Sequence, residues 1–171
     1  LYKEDAMQHV QTRSTTSALV LTAVLIALAT LFTMYTKIPV PGIRGYFNVG
    51  DVVIMTSALL LGRKYGAYIG AIGPALADLF LGYAVFVPIT FVVKGIEGYL
   101  VGTVYNNKTT TSALVATIVG GIVIVAGYFI AEYFVYDPGV AIASILTNTI
   151  KAVMRVIISM ISYANLRKRL G

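Results

Sequence analysis

Six ionisable side chains fall inside stretches that are otherwise apolar: Asp78, Lys94, Glu97, Glu132, Lys151 and Arg155. A lone charge at the centre of a bilayer costs upward of about 2.5 kcal/mol, so charges in such places point to function or to mutual pairing. Lys94 and Glu97 are three residues apart, share a helix face and can pair with each other. Ser144, Asn148, Lys151 and Arg155 follow 4-3-4 spacing, which draws one polar stripe down a helix. A polar stripe on an apolar helix turns toward protein or toward a water-filled cavity. The chemistry on offer is hydrogen bonding and charge. The single histidine is His9, cysteine is absent, and there is no H-E-x-x-H and no G-x-x-x-x-G-K-[ST]. A zinc site, a thiol nucleophile and ATP hydrolysis within this chain are therefore not expected, and neither a metal nor a cofactor is assigned to it.

The elements that position these residues follow from composition. Of 171 residues, 58% are hydrophobic and 12% charged, half the charged fraction of a soluble domain, and the mean hydropathy is +0.84. Such a chain cannot clothe a water-facing surface. It reads as a single-domain, all-α membrane protein spanning 1–171. Apolar runs predict six transmembrane helices at about 14–36, 51–62, 65–83, 86–105, 112–136 and 139–165. The first is 23 residues without a charge, too long for the apolar core of a signal peptide. Residues 37–50, rich in Pro and Gly, read as a sizeable loop, and Asp51 as an N-terminal residue whose carboxylate serves the free amides of the second helix. Pro74 is expected to kink the third helix.

Short-loop cations set the orientation. Lys3, Arg13, Arg63, Lys64, Lys108, Arg167, Lys168 and Arg169 collect on one side, against Lys37 and Arg44 on the other. Eight against two places both termini in the cytoplasm of a bacterial-type plasma membrane. The net charge of +6 is thus mostly a topology signal. Lipid is the expected surroundings, and no nucleic-acid partner is expected.

Counted along the helices at 1.5 Å per residue, Asp78, Lys94, Glu97 and Lys151 reach similar depths, roughly 12–18 Å from the helix ends. Two readings fit. One is a ligand pocket open to the outside, built from the fourth to sixth spans and closed by the 37–50 loop. The other is a network of buried ion pairs that fixes helix packing. Asn148 and Lys151 favour the pocket, Lys94 and Glu97 fit either reading, and Asp78 and Arg155 favour pairing. Glu132 near the outer rim, with Phe47 and Asn48 in the loop, is counted with the pocket. Phe47 and Tyr46 serve either to anchor the interface or to stack on a flat ligand. Small-residue faces at Gly66, Gly70, Gly73 and Ala77, and at Gly95, Gly98 and Gly102, predict close internal packing of the third and fourth helices. Ala23 and Ala27 form a further A-x-x-x-A pair on the first.

Taken together, six helices, a long outer loop, Ala23-x-x-x-Ala27, the stretch GYFNVGD…GRKYGA…GPALADLFLGY…KGIEGYLVG and Asn148-Thr-Ile-Lys151 resemble the substrate-binding S component of an energy-coupling factor (ECF) vitamin transporter. The likeness is to the branch that takes up riboflavin, pantothenate and hydroxymethylpyrimidine or pyridoxine. The resemblance implies a non-enzymatic protein that captures a vitamin and works with a transmembrane T component and two cytoplasmic ATPases. It implies that Ala23 and Ala27 meet the T component, and that Asn148 and Lys151 hydrogen-bond the ligand's ring. An amide and an ammonium three apart suit the edge of a polar heteroaromatic. Glu97 stands where thiamin-type relatives use an acid, but the absence of Trp argues against thiamin. A pyrimidine or pyridine is the expected substrate. The other readings are a self-sufficient proton- or ion-coupled carrier, built on Asp78, Glu97 and Glu132, and an intramembrane enzyme using Glu97 or Lys94 as acid or base.

Overall fold

The computed structural model of the chain describes residues 15–39, 46–105 and 109–170, without the side chains of residues 15, 37–39, 46, 47 and 170. Six helices and one small ribbon make up the described residues. They are α1 (Thr15–Tyr35), β1 (Lys37–Pro39), β2 (Tyr46–Asn48), α2 (Gly50–Leu61), α3 (Arg63–Phe80), α4 (Phe86–Val104), α5 (Thr110–Val135) and α6 (Pro138–Leu170). The tail with Lys3, His9 and Arg13, and the loop residues Arg44 and Lys108, lie outside the described residues.

Four helices, α1, α4, α5 and α6, are long and apolar enough to cross a membrane. The expectation of six spans meets a limit at the other two. With 12 residues, α2 extends about 18 Å, well short of a hydrocarbon core of about 30 Å. Its neighbour α3 has 18 residues and carries Arg63, Lys64 and Asp78. Only Gly62 separates α2 from α3; its φ of 85° is a conformation open to glycine at little cost. Pro74 lies inside α3, which continues through it to Phe80.

The segment read as a loop holds a two-stranded antiparallel ribbon instead, with Lys37 opposite Asn48, Ile38 opposite Phe47 and Pro39 opposite Tyr46. Ile38, Tyr46 and Phe47 favour extended backbone, and Pro39 is tolerated in a strand that has a free edge. Strands of three residues are too short to register as an alternating pattern. At the other end of the chain, α6 runs five residues beyond the expected stop at Asn165. Arg167, Lys168 and Arg169 occupy its last turn, where cations are favoured by the unpaired helix carbonyls.

The closest helix approach follows the glycines. A Cβ on Gly66 would fall 2.7 Å from the Gly98 carbonyl oxygen, and one on Gly102 would meet the Arg63 backbone at 2.5 Å. These contacts join α3 to α4, the most extensive pairing in the fold, as the small-residue faces lead one to expect. On α1, Thr30 donates to the Gly73 carbonyl at 2.9 Å, and Ala29 is fully buried against the same glycine. Ala23 and Ala27 are exposed.

Met55, Ala58, Leu59, Val101, Ala113, Ala116 and Tyr163 pack into one apolar core, and Ala29, Ile54 and Ile69 into a second. Asp51 lies in the first turn of α2, Glu132 in the last turn of α5 and Lys151 in the first half of α6, while Lys94 and Arg155 sit near the middle of α4 and α6.

Candidate functional site

At the ribbon end lies a cavity of about 360 Å³. All six helices line it, with Thr33 from α1, Asp51 from α2, Pro74 and Asp78 from α3, and Thr90 and Lys94 from α4. Tyr128 and Glu132 come from α5, and Asn148, Lys151 and Arg155 from α6. The expectation of walls from the fourth to sixth helices alone is therefore too narrow. Three packings, α2 with α3, α1 with α3 and α2 with α6, bring the first half of the chain around the same space.

Its floor is organised by Asp51, which is fully buried. One carboxylate oxygen binds the Lys94 ammonium, and the other lies 2.6 Å from Nε of Arg155. One acid thus ties α2, α4 and α6 together. This corrects the reading of Asp51 as a helix cap. The start of α2 is served by Asn48, whose Oδ1 accepts from the Asp51 amide at 3.3 Å, while the carboxylate turns inward. The physical reason is the character of α2, which is apolar on all sides and therefore buried. A charge within its first turn has no water to reach and must find partners in the interior.

Lys94 and Glu97 do come together, at 3.9 Å, but Lys94 makes its direct contact with Asp51. Glu97 is fully buried behind Lys94, is not one of the cavity-lining residues, and neither of its oxygens accepts a hydrogen bond among the described residues. Arg155 pairs, as expected, and also lines the cavity. Asp78 lines it too, on the α3 wall.

The α6 stripe faces this space as its spacing predicts. Lys151 is half-buried, and among the described residues no carboxylate lies within salt-bridge distance of it. Asn148 donates through Nδ2 to Ser144 at 3.4 Å, and Ser144 donates in turn to the Glu132 carboxylate. Asn48 lines the mouth. Phe47 belongs to β2, and its side chain lies outside the described residues, as does that of Tyr46.

Thr90 and Tyr128 are lining residues that the charged positions alone did not reveal; their hydroxyls stand 3.1 Å apart. Both were findable. Thr90 lies four before Lys94 and Tyr128 four before Glu132, so each extends a polar face by one helical turn.

Asp51 pairs with both Lys94 and Arg155, and Glu97 lies 3.9 Å from Lys94, so the cations and acids of this cavity are not equivalent. Lys151 is the lining cation with no salt bridge among the described residues, beside the Asn148 amide. Such a site can hold a small polar molecule by hydrogen bonds, with aromatic surface from Phe86 and Tyr83 nearby.

Comparison with known proteins agrees with this architecture. Residues 13–168 match the family model described as ECF-type riboflavin transporter, S component. An uncharacterised protein of Pyrococcus woesei is 41% identical over 145 residues, covering 83% of this chain and 96% of the relative. A protein of Lactococcus lactis subsp. cremoris described as the thiamine precursor transporter HmpT is 32% identical over 135 residues, covering 78% of this chain and 75% of the relative. The chain belongs to the S component family of ECF-type transporters.

Proposed function

We propose that this protein captures a small nitrogen heteroaromatic vitamin or vitamin precursor, with hydroxymethylpyrimidine or a pyridoxine-type vitamer as its substrate. On this reading it delivers the ligand across the plasma membrane with a T component and two partner ATPases, and it has no catalytic activity of its own. The observation that carries the proposal is Lys151, a cation in the cavity wall without a salt-bridge partner among the described residues, three residues from Asn148. Asn148 and Lys151 hold the ring edge, Asn48 closes the mouth, and Lys94 forms part of the floor with Glu97 behind it.

Size favours the smaller vitamins. The cavity of about 360 Å³ lies at the small end of the roughly 300–1,000 Å³ of small-molecule sites, which suits a single-ring ligand such as hydroxymethylpyrimidine. The relative described as a thiamine precursor transporter points the same way. Riboflavin is the second reading, favoured by the description of the matching family.

The test is equilibrium binding to the purified, detergent-solubilised protein without ATP, using hydroxymethylpyrimidine, pyridoxine and riboflavin. Tight binding of either small ring and weak binding of riboflavin is the expected result. The reverse order overturns the size argument. If none of the three binds and the pure protein in liposomes drives uptake with an ion gradient, the self-sufficient carrier takes its place.

A further inference from the structure

Five cations gather at one end of the bundle. Three contacts bring the helix ends together there. Gly102 of α4 packs against the Arg63 backbone of α3, and Ser112 of α5 donates to the Val104 carbonyl of α4 at 3.4 Å. The Tyr105 and Tyr163 rings meet edge-on at 5.6 Å, which ties α6 to the end of α4. Arg63 and Lys64 open α3, and Arg167, Lys168 and Arg169 occupy the last turn of α6. All five are exposed, and among the described residues no carboxylate lies within salt-bridge distance of them. The described acids stand elsewhere: Asp51 begins α2, Asp78 and Glu132 lie near the far ends of α3 and α5, Asp137 precedes α6, and Glu97 is fully buried. Arg63 and Lys64 also sit in a first helical turn, where the free amides already disfavour added positive charge. This end lacks an anion.

Its two best-placed guanidinium groups are held at the edge of the apolar surface. Arg63 lies over the Tyr99 ring at 6.0 Å and Arg167 over the Tyr163 ring at 5.9 Å, within the range of cation–π attraction. Tyr99 is 43% exposed on α4, a helix long and apolar enough to cross a membrane. With Val92 and Ile96, also exposed, it forms an apolar strip at 4-3 spacing. Tyrosine favours the level where hydrocarbon gives way to headgroups, so Arg63 stands at phosphate height above that strip.

We propose that this end binds an anionic phospholipid, with the phosphate on Arg63 and an acyl chain along Tyr99, Ile96 and Val92. Arg167 offers the same recognition on the α6 flank. A guanidinium presents two parallel N–H groups to phosphate oxygens. A zwitterionic lipid brings a cation of its own into a patch that already has five, so charge selects the anionic headgroup. An acidic soluble partner could meet Lys168 and Arg169, but it has no use for the apolar strip beneath Arg63.

The test adds phosphatidylglycerol or phosphatidylcholine, with identical acyl chains, to the full-length protein in detergent. Native mass spectrometry counts the lipid retained, and the thermal midpoint reports its effect. The unaltered protein is expected to retain phosphatidylglycerol in preference and to gain thermal stability from it. Arg63→Gln and Arg167→Gln are each expected to weaken that binding about fivefold, additively in the double variant, with phosphatidylcholine binding and the lipid-free midpoint unchanged. Tyr99→Leu keeps every charge but releases Arg63, and is expected to lose part of the preference.

Equal retention of the two lipids by the unaltered protein overturns the proposal. So does displacement of phosphatidylglycerol by glycerol phosphate at the same concentration, which would mark a site for free anions. A double variant that keeps its lipid preference but no longer co-purifies with other subunits assigns the arginines to a protein interface instead. Should the double variant fail to fold, an unchanged preference in both single variants has the same overturning force.

Discussion

Asp51 and Arg155 are brought within 2.6 Å of each other from α2 and α6, and Lys94 of α4 closes on the same carboxylate. The short second helix is thereby fastened to two long ones at the depth of the cavity floor. One anion facing two cations leaves a local excess of positive charge, and Glu97 lies behind Lys94 at 3.9 Å to offset it. The arrangement shapes the floor and balances its charge.

Removing the shared anion is therefore expected to be costly. Asp51→Ala strands two buried cations, a change worth about 3–5 kcal/mol in buried ion pairs. The prediction is a large drop in thermal midpoint in detergent, in the ligand-free protein as well as with ligand. Retention of the original midpoint would show that the three groups are solvated and that the floor is not what joins α2 to α4 and α6.

Lys151→Ala should behave in the opposite manner. No carboxylate among the described residues is within salt-bridge distance of this lysine, so its loss strands nothing, and the thermal midpoint is expected to stay close to its original value. A hydrogen bond from a charged donor contributes about 1.5–3 kcal/mol, so binding should weaken by about 10- to 100-fold. A parallel fall in stability and affinity would place Lys151 with the structural pairs instead.

The contrast between these two residues explains what could be read in advance. The α6 stripe was legible because 4-3-4 spacing on an apolar helix leaves one direction for Asn148 and Lys151 to face. The α3–α4 contact was legible because glycines at helical intervals have few other uses in lipid. Asp51 was not, because an acid in a first turn has a familiar local role as a cap, and only the tertiary burial of α2 overrides it. The ribbon at residues 37–48 was hidden by its length, three residues per strand.

Two glycines should separate close packing from mere smallness. A Cβ on Gly98 would fall 2.5 Å from the Gly66 carbonyl carbon, whereas on Gly121 the nearest atom is the Ala152 Cβ at 3.4 Å. Gly98→Ala must push α3 and α4 apart, an overpacking cost of about 1–3 kcal/mol. Gly121→Ala stays within ordinary contact and gains helix propensity. The expected order of thermal midpoints in detergent is Gly121→Ala at or above the unaltered protein, with Gly98→Ala below it. Equal midpoints for the two variants would mean that the α3–α4 approach is looser than described.

The outward face of α1 supplies the remaining prediction. Ala23 and Ala27 are exposed, while Thr22, Ala29 and Thr30 of the same helix are buried. The exposed pair therefore has no part in holding the fold. Small side chains four apart let another helix approach closely, and in lipid that closeness supplies dispersion contacts which larger side chains prevent. If this is where the T component docks, Ala27→Phe keeps the thermal midpoint and the ligand affinity of the isolated protein while abolishing its co-purification with the T component and ATPases. Ala23→Phe should do the same, and a bulky substitution at Leu31, exposed on the same helix but already large, should not. Intact assembly of both alanine variants would remove α1 from the interface and direct attention to another exposed helix face.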